Sequence, residues 1–211
     1  MIYISIDTET GGLDHDKHSF LEFAAIIENT NVQLPFDQIP KFTTLLERPD
    51  DTYIGSSFAL AMHKEIFTEL AKKPEERTEK VIPFYDLGKE FYQWIYSHNP
   101  ELCKNGKATI TVAGKNFGVF DERFLENNPN FEKYIQIKSR QIDPAVFFFN
   151  NDTDQDLPNL SVCKERAGLK NTSIKHRALD DAWDVIEVLR GKLYSRNLVS
   201  SKNLTSSIVN L

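Results

Sequence analysis

An α/β fold with a mixed sheet is predicted by two features of the 211-residue sequence. Three strand-like runs fill residues 2–47. Helical patterns then alternate with two more strand-like runs. The length suits one domain with a full-sized core. Hydrophobic residues make up 40% and charged residues 27%, both ordinary for a soluble globular chain.

The elements follow in order. "IYISID" (2–7) is rich in β-branched and aromatic residues and reads as a strand. "TGGLD" is a turn whose paired glycines tolerate positive φ. "FLEFAAII" (20–27) is a mostly buried strand, close enough to hairpin with the first, and "FTTLLE" (42–47) is the third. "SSFALAMHKEIFTELAKK" (56–73) is a helix with Phe58, Met62, Ile66 and Leu70 each four apart and Ser56 or Ser57 as cap. "PFYDLGKEFYQWIYS" (83–97) begins with a proline suited to a first helical turn, and Phe84, Leu87, Phe91, Trp94 and Ile95 form its apolar face. After a loop, "ATITVAG" (108–114) is a strand, "VFDERFLENN" (119–128) a short helix and "YIQIKSRQID" (134–143) the fifth strand. "NNDTDQD" is an acidic surface loop, and "LSVCKERAGL" (160–169) is a helix ended by Gly168. "RALDDAWDVIEVLRGKLYSR" (177–196) is the longest helix, with Ala182, Ile186, Leu189 and Leu193 on its buried side. Residues 1–196 therefore form the domain, and 197–211 a loose or partner-docking tail carrying Leu198, Ile208, Val209 and Leu211.

Charge and composition narrow the function. A net charge of -6 argues against a long basic groove tracking a nucleic-acid duplex, but not against a site that grips a strand end through metal ions. Two cysteines with neither metal-like spacing nor a disulfide framework fit a reducing cytosol. No apolar run approaches the ~20 residues that span a bilayer, and the first strand reaches Asp7 too soon for a signal peptide. A cytoplasmic protein is expected.

Three clusters carry chemistry. Asp7 and Glu9 lie two apart, on one face of the first strand. Two such carboxylates repel unless a proton or cation lies between them. Asp121 follows a strand and sits among Phe117, Phe120 and Phe124. His176 lies in a turn just before the last helix, and Asp181 lies within it. The small Ala178 and Ala182 let another element approach that helix closely. Alone, each cluster also fits solvated surface acids, an acidic helix start or a surface histidine.

Together, "IDTETGGLD", "GKNFGVFDERFL" and "HRALDDA" resemble the DEDD exonuclease superfamily in its histidine subgroup: the DnaQ-like proofreading exonucleases, ribonuclease T and the oligoribonucleases. The match in order and separation spans residues 7–181. It implies a ribonuclease H-like fold, in which a five-stranded sheet has three antiparallel strands followed by parallel ones, with flanking helices. It also implies that Asp7, Glu9, Asp121 and Asp181 bind two divalent ions, Mg²⁺ or Mn²⁺, as four oxygen donors suit hard cations. The implied reaction is two-metal phosphodiester hydrolysis from the 3′ end of a single strand, DNA ahead of RNA, releasing nucleoside 5′-monophosphates. His176 is implied as the base that takes a proton from the attacking water. Histidine suits that role because its ordinary pKa of about 6.5 lies near working pH.

By the same resemblance, Thr8, Thr10 and Gly11 face the terminal nucleotide, and the helix from residue 56 offers Leu60, Met62 and His63 to bases. Met62 also suits a core position. Phe117 or Phe120 could stack on a base, and each also suits the core. Lys115, Lys175 and Arg177 could touch phosphates, while Asn116 orients its loop. Asp180 points about 100° away from Asp181 on a helix, and Asp184 lies on Asp181's face. The chain has "TGGL" where many relatives have "TTGL", which bears on sugar contacts and the choice between DNA and RNA. An RNA-trimming oligoribonuclease, a polymerase-associated module docked through the tail, and a homodimer are the alternatives left open.

Overall fold

A computed structural model describes residues 1–172 and 176–191. The proposed tail at 197–211, Leu193 and Lys175 lie outside the described residues. The strands are β1 (Ile2–Thr10), β2 (Phe20–Asn29), β3 (Lys41–Glu47), β4 (Val81–Pro83), β5 (Cys103–Lys104), β6 (Lys107–Ile110), β7 (Val112–Ala113) and β8 (Ile135–Ile137). The helices are α1 (Ser57–Met62), α2 (Lys64–Leu70), α3 (Leu87–His98), α4 (Asp121–Glu126), α5 (Phe131–Tyr134), α6 (Pro144–Phe148), α7 (Leu160–Arg166) and a last one, α8, over 178–191.

The mixed five-stranded sheet has the order β4-β3-β2-β1-β7. Strands β1, β2 and β3 run antiparallel, while β4 pairs parallel to β3 and β7 parallel to β1. Its membership differs in one respect from the expected five. Residues 134–143 do not join this sheet as a strand but run parallel to the 107–113 segment beside it. Strand β8 pairs with β6 in a three-stranded sheet, and Ile142 bridges to Ala113. The 107–113 run passes from one sheet to the other at Thr111, whose carbonyl accepts from Ile4 N–H at 2.9 Å.

The central strands are covered on both faces, which explains why β2 is apolar at every position except Glu22 and its last two residues. Alternation sorts β1. Ile4 and Ile6 enter the main core with Phe23, Phe42, Phe91 and Ile95, beneath α3. Tyr3 points the other way, into a second core with Ala182, Val185, Ile186 and Leu189 of α8. Ser5 shares that face, and its hydroxyl donates to the Ala182 carbonyl at 2.7 Å. Both alanines of the last helix are fully buried, so α8 lies close against the sheet.

The expected helix over 56–73 is two short helices that meet at His63. Ser56 caps the first through its hydroxyl, accepting from Ala59 N–H at 3.2 Å. Ile66 and Leu70 are buried as the spacing predicts, but Phe58 and Met62 are exposed. The apolar stripe is thus half core and half open surface.

The main core is built from rings. Phe91 packs edge-on against Phe23, with centroids 4.9 Å apart, and stacks against Trp94 and Phe131. Truncating Phe91 to alanine leaves a cavity that these rigid neighbours cannot close. Phe91→Ala is expected to cost about 3–5 kcal/mol, read as a lower midpoint in urea unfolding with an unchanged slope.

Candidate active site

The face of β1 that carries Tyr3 and Ser5 continues to Asp7 and Glu9, which therefore point toward α8. Asp181, one turn into α8, meets them there. Asp7, Glu9 and Asp181 each offer an oxygen, and the three atoms lie within 4.8 Å of one another. The opposite face of β1 presents Thr8, whose hydroxyl donates to Asp121 Oδ1 at 2.7 Å. Asp121 is the first residue of α4 and is buried. Four carboxylates from β1, α4 and α8 thus surround one end of the central strand.

Their charges oppose one another. Removal from water, followed by the charges of Asp121, Glu9, Asp181 and Glu22, pushes the Asp7 carboxyl well above the usual carboxylate range. Glu9 is pushed up to about 8, by burial first and then by Asp181, Glu22 and Asp121, with Arg177 pulling it down. Burial raises Asp121 to about 7 against the lowering effect of the Thr8 bond. A crowded, oxygen-only set whose ionisation is opposed in this way fits a hard divalent cation, which relieves the repulsion and favours the charged form.

One histidine adjoins the carboxylates, and a second acts on it electrostatically. His63 is buried at the junction of α1 and α2, with Nε2 3.4 Å from Glu9 Oε2. Burial, and then the charge of His176, lower its pKa. His176 is exposed, just before α8, with its backbone in the left-handed region at φ 55°.

Beside the cluster is a cavity of about 480 Å³ walled by Thr8, Glu9, Thr10, Met62, His63 and Phe120, among others. Phe58 and Leu13 stand at its edge, 79% and 84% exposed. The structure therefore gathers Thr8, Thr10, Met62 and His63 at one opening and separates the other expected contacts from it. Gly11 does not line this cavity. A Cβ there would lie 2.4 Å from the Ile54 carbonyl, so the glycine admits a crossing chain. Leu60 packs over Gly55. Phe117 is a correction to the expected base contacts, because it is buried in the main core while Phe120 faces the cavity. Asn116 has φ 58°, and its N–H donates to Asp143 at 3.0 Å.

Neither described cation expected at phosphates is unengaged. Lys115 lies 3.8 Å from Asp143, and Arg177 is held by Glu22 and Glu79. Asp184 pairs with Lys164 at 2.5 Å. Sequence reasoning missed Leu13 and Phe58 as edge residues and Glu22 as Arg177's partner. The signal for Glu22 was an acid set among the apolar residues of β2.

Residues 4–189 match the RNase_T exonuclease family, and the chain belongs to that family. No curated protein sequence matches it significantly. Among solved structures, it resembles Escherichia coli exonuclease I in complex with a dT13 oligonucleotide carrying a 5cy group. That match has a TM-score of 0.58 and 14% identity over 97% of this chain and 42% of the other. A moderately thermophilic exonuclease I from Methylocaldum szegediense matches at a TM-score of 0.57 and 14% identity, over 90% of this chain and 40% of the other. The chain spans less than half the length of these neighbours. Among the described residues, no helix is long and apolar enough to cross a membrane.

The raised pKa values give a pH dependence with a definite sign. Glu9 and Asp121 titrate higher in the folded chain than the ~4 of an unfolded carboxylate. Their stabilising contribution is complete below that value and is lost as pH rises through about 7 and about 8. The melting temperature of the metal-free protein should fall between roughly pH 5 and pH 8.5, and Glu9→Gln should flatten the slope. A metal-free melting temperature that rises across this window contradicts the assignment.

Proposed function

We propose that the protein is a metal-dependent 3′-to-5′ exonuclease acting on single-stranded ends, DNA ahead of RNA, and releasing nucleoside 5′-monophosphates. The observation that carries this reading is the convergence of Asp7, Glu9 and Asp181 within 4.8 Å in a chain of the exonuclease family. The oligonucleotide bound to the exonuclease I neighbour supports a single-stranded DNA substrate.

Asp7, Glu9, Asp121 and Asp181 would hold two divalent ions, Mg²⁺ or Mn²⁺. Such ions supply activation of water and stabilisation of the charge that builds on the phosphate and the departing 3′ oxygen. The protein's own residues do the rest. Thr8 fixes the Asp121 carboxylate by its hydrogen bond, so that this oxygen is oriented before substrate arrives. His176 takes the proton of the attacking water on an imidazole nitrogen, and its exposed position leaves that nitrogen accessible. The cavity seats the terminal nucleotide, with Phe58, Met62 and Phe120 against the base and Thr8 and Thr10 toward the sugar.

The test is a 5′-labelled single-stranded DNA oligomer, with an RNA oligomer of the same sequence beside it, in Mg²⁺, Mn²⁺ or chelator. A ladder shortening from the 3′ end is expected on DNA, absent with chelator and in Asp7→Ala. His176→Ala should slow it by about 10²- to 10⁴-fold. Faster trimming of RNA would reassign the substrate. No cleavage of either strand by folded protein would remove the reading.

A further inference from the structure

The last helix is fastened to the sheet at both ends by arginine–glutamate forks. Glu22 and Glu28 lie on the face of β2 that looks toward α8, and both are buried. Six residues of strand separate them, a rise of about 20 Å. Arg177 and Arg190 are thirteen residues apart, and helical rise over that length is also about 20 Å. The spacings match, and each arginine meets its glutamate. Arg190 Nε donates to Glu28 Oε1 at 2.9 Å, and its terminal nitrogen to Oε2 at 2.6 Å. Arg177 Nε donates to Glu22 Oε2 at 3.0 Å, and its terminal nitrogen to Oε1 at 3.0 Å.

The two forks differ in what surrounds them. The Arg190 fork lies far along α8 from the carboxylate cluster. The Arg177 fork lies at it, because Glu22 is the direct cross-strand partner of Glu9. Two acids facing each other across a strand pair are unfavourable unless one is neutralised, and Arg177 neutralises Glu22. Glu22 Oε2 also accepts the Ala178 N–H at 3.3 Å, satisfying one of the open donors of the first turn of α8. Arg177 reaches further, to Glu79 just before β4. Glu79 is itself anchored, since its N–H donates to the Glu69 carboxylate at 3.0 Å. Arg177 is thus tied to β2, to the approach to β4 and to α8.

The residue immediately before it is His176, whose backbone lies in the left-handed region, which a non-glycine residue adopts uncommonly and keeps where its surroundings support it. We propose that Arg177, gripped by Glu22 and Glu79, is a positioning residue that holds His176 in this conformation beside the carboxylates. The inference rests on the reading of His176 as the base in exonucleolytic hydrolysis. The fork requires arginine, because a lysine ammonium keeps the charge but not the planar pair of donors.

The experiment compares Arg177→Lys, Arg177→Gln and Arg190→Lys in the wild-type and His176→Ala backgrounds. The substrate is the p-nitrophenyl ester of thymidine 5′-monophosphate, whose good leaving group keeps weak activity measurable. Arg177→Lys should lower kcat by about tenfold with KM within about twofold, a loss confined to the chemical step. In the His176→Ala background the same change should cost less than about twofold, because the residue it positions is gone. Arg190→Lys should lower the melting temperature and leave kcat unchanged in both backgrounds. Amide exchange at Ala178 should quicken in Arg177→Lys and Arg177→Gln without global unfolding. Equal losses in the two backgrounds would make Arg177 merely structural and overturn the proposal, as would full activity in Arg177→Lys and Arg177→Gln. If the wild-type protein cleaves neither this ester nor an oligomer, the functional reading itself fails. Activity that survives His176→Ala undiminished removes the base and its positioning together.

Discussion

Electrostatic repulsion among carboxylates is the constraint on which this structure depends. Asp7, Glu9, Asp121 and Asp181 crowd one end of a central strand, with Glu22 directly across from Glu9. Burial alone disfavours their charge, and each neighbour adds to the penalty. A folded chain carries such a cluster only if the rest of the fold tolerates the cost, which is why sites of this kind mark function rather than stability. The cluster fits a divalent cation, and oxygen donors without sulfur or neutral nitrogen among them favour a hard one.

The surrounding frame offsets that cost with ordinary packing. The Phe-rich core beneath α3 stabilises one face of the sheet, and the close approach of α8 stabilises the other. Small residues at Ala178 and Ala182 bring α8 near enough for Ser5 to reach the Ala182 carbonyl. That same proximity carries Asp181 to Asp7 and Glu9. Strand alternation does the remaining sorting: odd residues of β1 supply Asp7 and Glu9 to α8, and Thr8, between them, reaches back to Asp121. One strand thereby addresses two helices with three consecutive side chains.

Much of this was legible in the sequence where the information is local. Asp-x-Glu at the end of a β-branched run places two carboxylates on one face by pleat alone. His-x-x-x-x-Asp with interspersed alanines marks a closely packed helix start. What was not legible depends on contacts distant in sequence. Strand β4 is three residues ending in Pro83, too short for any periodicity. The repeat at Phe58, Met62, Ile66 and Leu70 was continuous, but the helix is interrupted at His63, and only the second half of the repeat meets the core. Phe117 and Phe120 are three apart on a tight turn, and nothing local decides which faces the cavity. Arg177 resembled a phosphate ligand because its partners, Glu22 and Glu79, lie 155 and 98 residues away.

The central claim is that the acidic cluster is a divalent-cation site. Calorimetric titration of metal-free protein with Mn²⁺, at pH 8 and in two buffers of different ionisation heat, tests it most directly. Saturable binding with proton release is expected, because the cation displaces protons from carboxylates whose pKa is raised. Asp181→Asn should weaken that binding by more than about tenfold. Absence of saturable binding, or equal affinity in Asp181→Asn, would contradict it.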